Sequence, residues 1–141
     1  MTGFLIDTNV PSEVTKQRPH PRVEAWIADP GAPLYVSVVT LGELRKGIAL
    51  LSPEDGRRRR LERWFQDDLL TICSGGILPL TRPIAERWGA LEAERQLRGR
   101  PLSSTDGQIA ATALEHGLSL VTRNVADFEG LGIEILNPWD D

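Results

Sequence analysis

Four acidic residues, Asp7, Glu43, Asp106 and Asp127, each stand where a strand or loop gives way to a helix, beside small polar neighbours. They occur in Leu5-Ile6-Asp7-Thr8-Asn9, Thr40-Leu41-Gly42-Glu43-Leu44, Ser104-Thr105-Asp106-Gly107-Gln108 and Thr122-Arg123-Asn124-Val125-Ala126-Asp127. Carboxylates drawn together repel by about 4 kcal/mol per pair at ~4 Å and an effective dielectric of about 20. A hard divalent cation is the usual counterweight. Oxygen ligands without His or Cys suit Mg²⁺ or Mn²⁺ and disfavour zinc. Magnesium keeps several waters, which leaves room for a phosphate and an attacking water. Two ions about 4 Å apart can stabilise both oxygens of a phosphodiester cleavage. The chemistry implied is metal-dependent phosphoryl transfer.

Each acid alone has a simpler explanation as a helix cap. Asp7 could cap the helix after the first strand, and Thr40-x-x-Glu43 and Ser103-x-x-Asp106 match the capping-box pattern. Asn124-x-x-Asp127 could do the same in a short turn. Taken together they favour a site. Asp7, Glu43 and Asp127 follow three different strands, and the carboxyl ends of parallel strands form one rim. Asp106 shares a helical stripe with the apolar Ile109, Ala110 and Ala113, which turns it toward the core edge.

The elements that must position these acids are short. Apolar or β-branched runs predict strands over residues 3–7, 34–38, 77–80, 118–122 and 133–136. The third belongs near a sheet edge because Pro79 cannot donate to a ladder. Helices are expected after residue 8, with Pro11 in the first turn and Thr8 or Asn9 as cap, and over about 21–29. Others run over 40–51, from Pro53 through the arginines to Leu70, over 82–98 and over 104–116, closing on Gly117. The long helix 82–98 carries Ile84, Trp88, Leu91 and Leu97 as its apolar stripe. Strands alternating with helices argue for one α/β domain across residues 1–141, with about five short parallel strands and helices on both faces.

Composition limits the function classes. The chain is 40% hydrophobic and 26% charged, with no apolar run near the ~18 residues of a membrane span. No secretory signal is visible, and a single cysteine, Cys73, fits a reducing compartment and excludes a cysteine metal cage, so a cytoplasmic location is expected. The net charge of −4 argues against nonspecific coating of duplexes, yet with the four acids set aside the rest of the surface is neutral. Arg57-Arg58-Arg59-Arg60 reads best as a solvated helix face beside Glu54 and Asp55, whereas Arg45, Lys46 and Arg123 lie near the acids and are the candidates for holding phosphates. The four tryptophans are assigned to cores or interfaces. Neither His20 nor His116 stands by a Ser or Cys nucleophile, and no glycine-rich phosphate loop is present.

Assembled in order, these segments resemble the PIN-domain nucleases, and within them the FitB-like branch of the VapC toxins of type II toxin–antitoxin pairs. The resemblance runs through Leu5-Ile6-Asp7-Thr8-Asn9-Val10 with Ser12-Glu13, Gly42-Glu43-Leu44-Arg45-Lys46-Gly47, residues 106–113, Leu120-Val121-Thr122-Arg123-Asn124 and Asn137-Pro138-Trp139. It implies a Mg²⁺-dependent endoribonuclease held in check by a small DNA-binding antitoxin, as a homodimer or toxin–antitoxin hetero-oligomer. It maps Asp7, Glu43 and Asp106 onto metal-binding acids, and Asn9 and Thr122 onto polar positions bordering the site. Many members carry aspartate where this chain has Asn124; here the acid comes at Asp127, which either replaces it or caps the turn. Two rivals stand beside this reading. One is a regulatory module acting on DNA through its antitoxin, with weak or no cleavage. The other is a phosphoacceptor switch modified on Asp7.

Overall fold

The computed structural model describes residues 3–140. Alternation along its short strands decides the layering. Five strands, β1 (Phe4–Ile6), β2 (Leu34–Ser37), β3 (Gly76–Leu78), β4 (Ser119–Val121) and β5 (Ile135–Leu136), form one sheet in the order β3-β2-β1-β4-β5. All four pairings are parallel. Successive side chains of a strand point to opposite faces. Phe4, Ile6, Leu34, Val36 and Val121 accordingly enter one core cluster, with Val10, Val23, Leu44, Leu69 and Trp139. Leu5 and Leu120 enter a second, with Ile109, Ala110, Ala113 and Phe128. The strands are thus covered on both faces, as a parallel sheet requires.

The first cluster is supplied by α1 (Asn9–Val14), α2 (Pro21–Ala28), α3 (Val38–Ala49) and α5 (Leu69–Ile72), the second by α7 (Ser104–His116) and α8 (Val125–Phe128). Side chains fully buried in these clusters, such as Leu5, Ile109 and Leu120, contribute about 1.5–3 kcal/mol each. Between α3 and α5 lies α4 (Gly56–Arg63), joined to α5 by a π-helical turn over Trp64–Asp68. The long helix α6 (Arg82–Leu97) packs on α7. Their approach is close at Gly107, where a Cβ would stand 2.7 Å from Cδ1 of Trp88. Gly117 ends α7 in the left-handed region at φ 64°.

Three expectations need correction. The third helix begins at Val38, not 40, because the Ser37 hydroxyl accepts the Val39 N–H and caps it. Thr40 is therefore inside the helix, buried with no partner for its hydroxyl, and Thr40-x-x-Glu43 is not a capping box. The next helix begins at Gly56, with Asp55 rather than Pro53 at its entrance. Leu97, expected on the apolar stripe of α6, is 88% exposed, while Arg95 takes the buried position.

Candidate active site

The sheet order places β1 between β2 and β4, so the chain runs outward in one direction, then crosses back to the other side. Ligands of open α/β sheets bind at such a reversal, beyond the carboxyl ends of the strands. Ile6 of β1 is in register with Val121 of β4, which makes Asp7 and Thr122 the next pair. The Asp7 N–H donates to the Val121 carbonyl at 2.9 Å.

Asp7 is only 5% exposed, yet carries two good hydrogen bonds. The Thr122 hydroxyl donates to Oδ2 at 2.8 Å, and the Thr8 N–H donates to Oδ1 at 2.8 Å. The Asn9 side-chain amide stands 3.4 Å from Oδ2 and 3.3 Å from the Thr122 hydroxyl, and its oxygen accepts the Arg123 N–H. The Thr122 hydroxyl also accepts the Asn124 N–H at 3.0 Å. Asn9 and Thr122, expected as supporting polar groups, thus form one network around the carboxylate through their side chains, which Asn124 joins only through its backbone N–H. Burial pushes the Asp7 carboxyl above its ordinary value, and the charges of Asp106 and Glu43 push it the same way, against Thr122 and Thr8.

Asp106 sits in the first turn of α7, half-buried, its N–H donating to the Ser103 hydroxyl at 3.1 Å. Ser103 is the N-cap of α7, and its side chain also bears on the Asp106 carboxylate. Burial raises its pKa first, then the charges of Asp127 and Glu43, with Ser103 opposing. Glu43 is exposed on α3 and accepts a short hydrogen bond from the Thr8 hydroxyl. Asp127 is exposed on α8; its N–H bonds the Asn124 carbonyl, but the Asn124 side chain caps nothing.

All four acids therefore act electrostatically on one place, Asp7 through Asp106 and Glu43, and Asp106 through Glu43 and Asp127. Among the described residues, no three acids already stand at the spacing that encloses an ion. The donor set nevertheless fits a hard divalent cation, because such an ion takes one or two carboxylates directly and fills its remaining positions with water.

The basic candidates divide. Arg123 is exposed, its backbone tied to Asn9 and its guanidinium 5.7 Å from the centre of the Trp139 ring. Lys46 is exposed on α3. Arg45 pairs with Glu62 at 3.2 Å and faces a cavity shared with Arg59 and Arg63, away from the acids. Sequence reasoning missed three residues beside these acids. Thr8, read as a possible cap, secures Glu43; its place between Asp7 and Asn9 was the available signal. Arg95 and Arg100 line a cavity of about 540 Å³ with Asp106 and Asp127, and nothing in a helical stripe marks a buried arginine.

The family model of the PIN domain matches residues 4–131. The chain is 36% identical over 138 residues to a protein named VapC ribonuclease Y4jK from Sinorhizobium fredii, covering 97% of this chain and 98% of that one. It is 34% identical over 140 residues to toxin FitB of Neisseria gonorrhoeae, covering 98% and 99%. It superposes on the crystal structure of FitAcB from Neisseria gonorrhoeae with a TM-score of 0.82 and 34% identity, covering 96% and 98% of the two chains. With Asp7 and Thr122 meeting at the sheet's reversal and three further acids bearing on the same place, the chain belongs to the PIN-domain family, among the VapC- and FitB-like toxins.

Proposed function

We propose that this chain is a Mg²⁺-dependent endoribonuclease, built as one PIN domain, and the toxin of a type II toxin–antitoxin pair. The observation that carries the reading is the buried Asp7, hydrogen-bonded by Thr122 and Thr8 yet raised in pKa by burial and by its acidic neighbours. A carboxylate held ready but under electrostatic stress is a group awaiting a cation. Asp7 and Asp106 would hold it, with Mn²⁺ an acceptable substitute. Once bound, such a cation offsets charge on the phosphodiester and acidifies a water.

The remaining work belongs to the chain. Thr122 and Thr8 favour the ionised form of Asp7 and fix its orientation. Glu43, steadied by Thr8, supports the ion or orients the attacking water. Asp127 bears on Asp106 from the α8 side, where Asn124 contributes a neutral oxygen. Arg123 and Lys46 lie outside the acids, placed to meet RNA phosphates. The likeness to a protein named as a ribonuclease and to one named as a toxin supports this activity, and the partner we assign is a small antitoxin that binds DNA, in a homodimer or hetero-oligomer. We place the pair in the cytoplasm, where its RNA is; no described helix is long and apolar enough to cross a membrane.

The test is cleavage of mixed structured RNAs by the purified, antitoxin-free chain, in Mg²⁺ or EDTA, alongside Asp7→Asn and Asp106→Asn. Cleavage by the native chain in Mg²⁺ alone, lost in both variants, is expected. Undiminished cleavage in EDTA or by Asp7→Asn would refute the mechanism. Mg²⁺ binding without cleavage would favour the regulatory module, to which the neutral Asn124 lends weight.

A further inference from the structure

We infer that the cavity between α6, α7 and α8 is a seat for a phosphate of single-stranded RNA next to the one being cleaved, and that Arg95 and Arg100 hold it. The inference rests on the nuclease reading and extends it to the path of the substrate. The cavity, about 540 Å³, is lined by Arg95, Arg100, Ser103, Asp106 and Asp127 among others, so it opens beside two of the four acids.

Arg95 is the informative residue. It is 8% exposed, and among the described residues it forms no ion pair. Its Nε donates to the Arg100 carbonyl at 3.0 Å and one terminal nitrogen donates to the Glu129 carbonyl at 3.4 Å. A buried guanidinium without an anion is costly, and its planar fork matches phosphate. Two carbonyls hold it in place while its other N–H groups stay available to the cavity. The Arg100 N–H returns a bond to the Arg95 carbonyl at 3.0 Å, which fixes the loop, whereas the Arg100 side chain is exposed and makes no bond among the described residues. The first turn of α7, on the same wall, adds the positive end of a thirteen-residue helix.

The cavity's two arginines face two carboxylates, so it attracts an anion weakly until the carboxylates are neutralised. Occupation of the seat is therefore coupled to occupation of the acidic site, and the coupling is reciprocal.

Arg100→Ala tests this without touching a folded-state bond of that side chain. Michaelis kinetics on a labelled single-stranded RNA in Mg²⁺ should show KM raised about tenfold, the scale of one charge-assisted hydrogen bond, with kcat kept. The slope of log KM against log salt should fall by roughly 0.7, the share of one phosphate on a single strand. A neutral methylphosphonate placed one linkage from the cleaved bond should harm the native chain similarly and Arg100→Ala hardly further. Arg95→Lys, which keeps the charge and loses the fork, should raise KM while leaving the salt slope near the native one.

A native KM in both variants, or a native salt slope in Arg100→Ala, would overturn the proposal. So would methylphosphonate effects identical in native and variant chains. A variant that keeps its RNA parameters but loses antitoxin affinity would reassign the cavity to a protein carboxylate. Failure of the native chain to cleave or bind RNA at all would remove the nuclease reading first, and this one with it.

Discussion

Replacing Thr122 by Val preserves shape and removes one hydroxyl from a residue with no exposed surface. That hydroxyl donates to Oδ2 of Asp7 at 2.8 Å and accepts the Asn124 N–H and the Asn9 amide. Asn124 is exposed and Asn9 half-buried, so water can serve both; Asp7 has only the distant Asn9 contact left for that oxygen. A hydrogen bond to a charged group is worth about 1.5–3 kcal/mol. At about 3–4 °C per kcal/mol for a chain of this size, Tm in EDTA should fall by roughly 5–12 °C at neutral pH. The pH dependence identifies the cause. Thr122 lowers the Asp7 pKa, so its removal raises an already raised value. The loss should be complete above that value and shrink as pH falls through it, where Asp7 is neutral in both chains. Thr122→Ser, which keeps the hydroxyl, should recover most of the difference. Denaturant unfolding followed by circular dichroism at several pH values measures this directly. A cost under about 0.5 kcal/mol, the scatter of ordinary surface substitutions, or a pH-independent cost would refute the assignment.

Other outcomes follow from the same geometry. Without metal, Asp106→Asn should leave Tm unchanged or higher, and Mg²⁺ at a hundred times Kd should stabilise the native chain by about 2.7 kcal/mol and the variant much less. Because the folded pKa values of Asp7 and Asp106 lie above their ordinary 3.8, metal-free stability should fall as pH rises from there through the folded values. A rise of metal-free stability across that range would contradict the stressed-carboxylate account. Gly107→Ala would place a Cβ 2.7 Å from Trp88, costing about 1–3 kcal/mol and shifting Asp106, so tryptophan emission and kcat should change together. Burial pushes the Cys73 thiol up to about 11, so iodoacetamide at mildly alkaline pH should label the unfolded chain and spare the native one.

The sheet was legible because its signals are local: β-branched and apolar runs mark all five strands, and Pro79 directly follows the edge strand β3. The placing of Asp7, Glu43 and Asp127 was legible as an inference from where parallel strands end, and that of Asp106 from its helical stripe. Helix entrances were less so. Ser37 and Thr40 are both competent caps, and only the length of β2 decides between them. Arg95 escaped notice because burial of a long basic side chain depends on carbonyls contributed by residues 100 and 129, distant from any periodic pattern. The link from Thr8 to Glu43 spans two elements and was invisible for the same reason.

The central place of β1 has a consequence for the chain while it is being made. Asp7 and Glu43 emerge early, but Thr122, which orients Asp7, belongs to a segment synthesised more than a hundred residues later. At ~5–20 residues per second, several seconds separate the two on the ribosome. Until β4 inserts beside β1, Asp127 has no place on the rim and Asp7 lacks its hydroxyl donor. On the nuclease reading, a nascent chain is thus harmless to nearby RNA by its topology, and activity arrives only with about the last sixth of the sequence. On the same reading, that interval gives a partner time to meet the chain before it can cut.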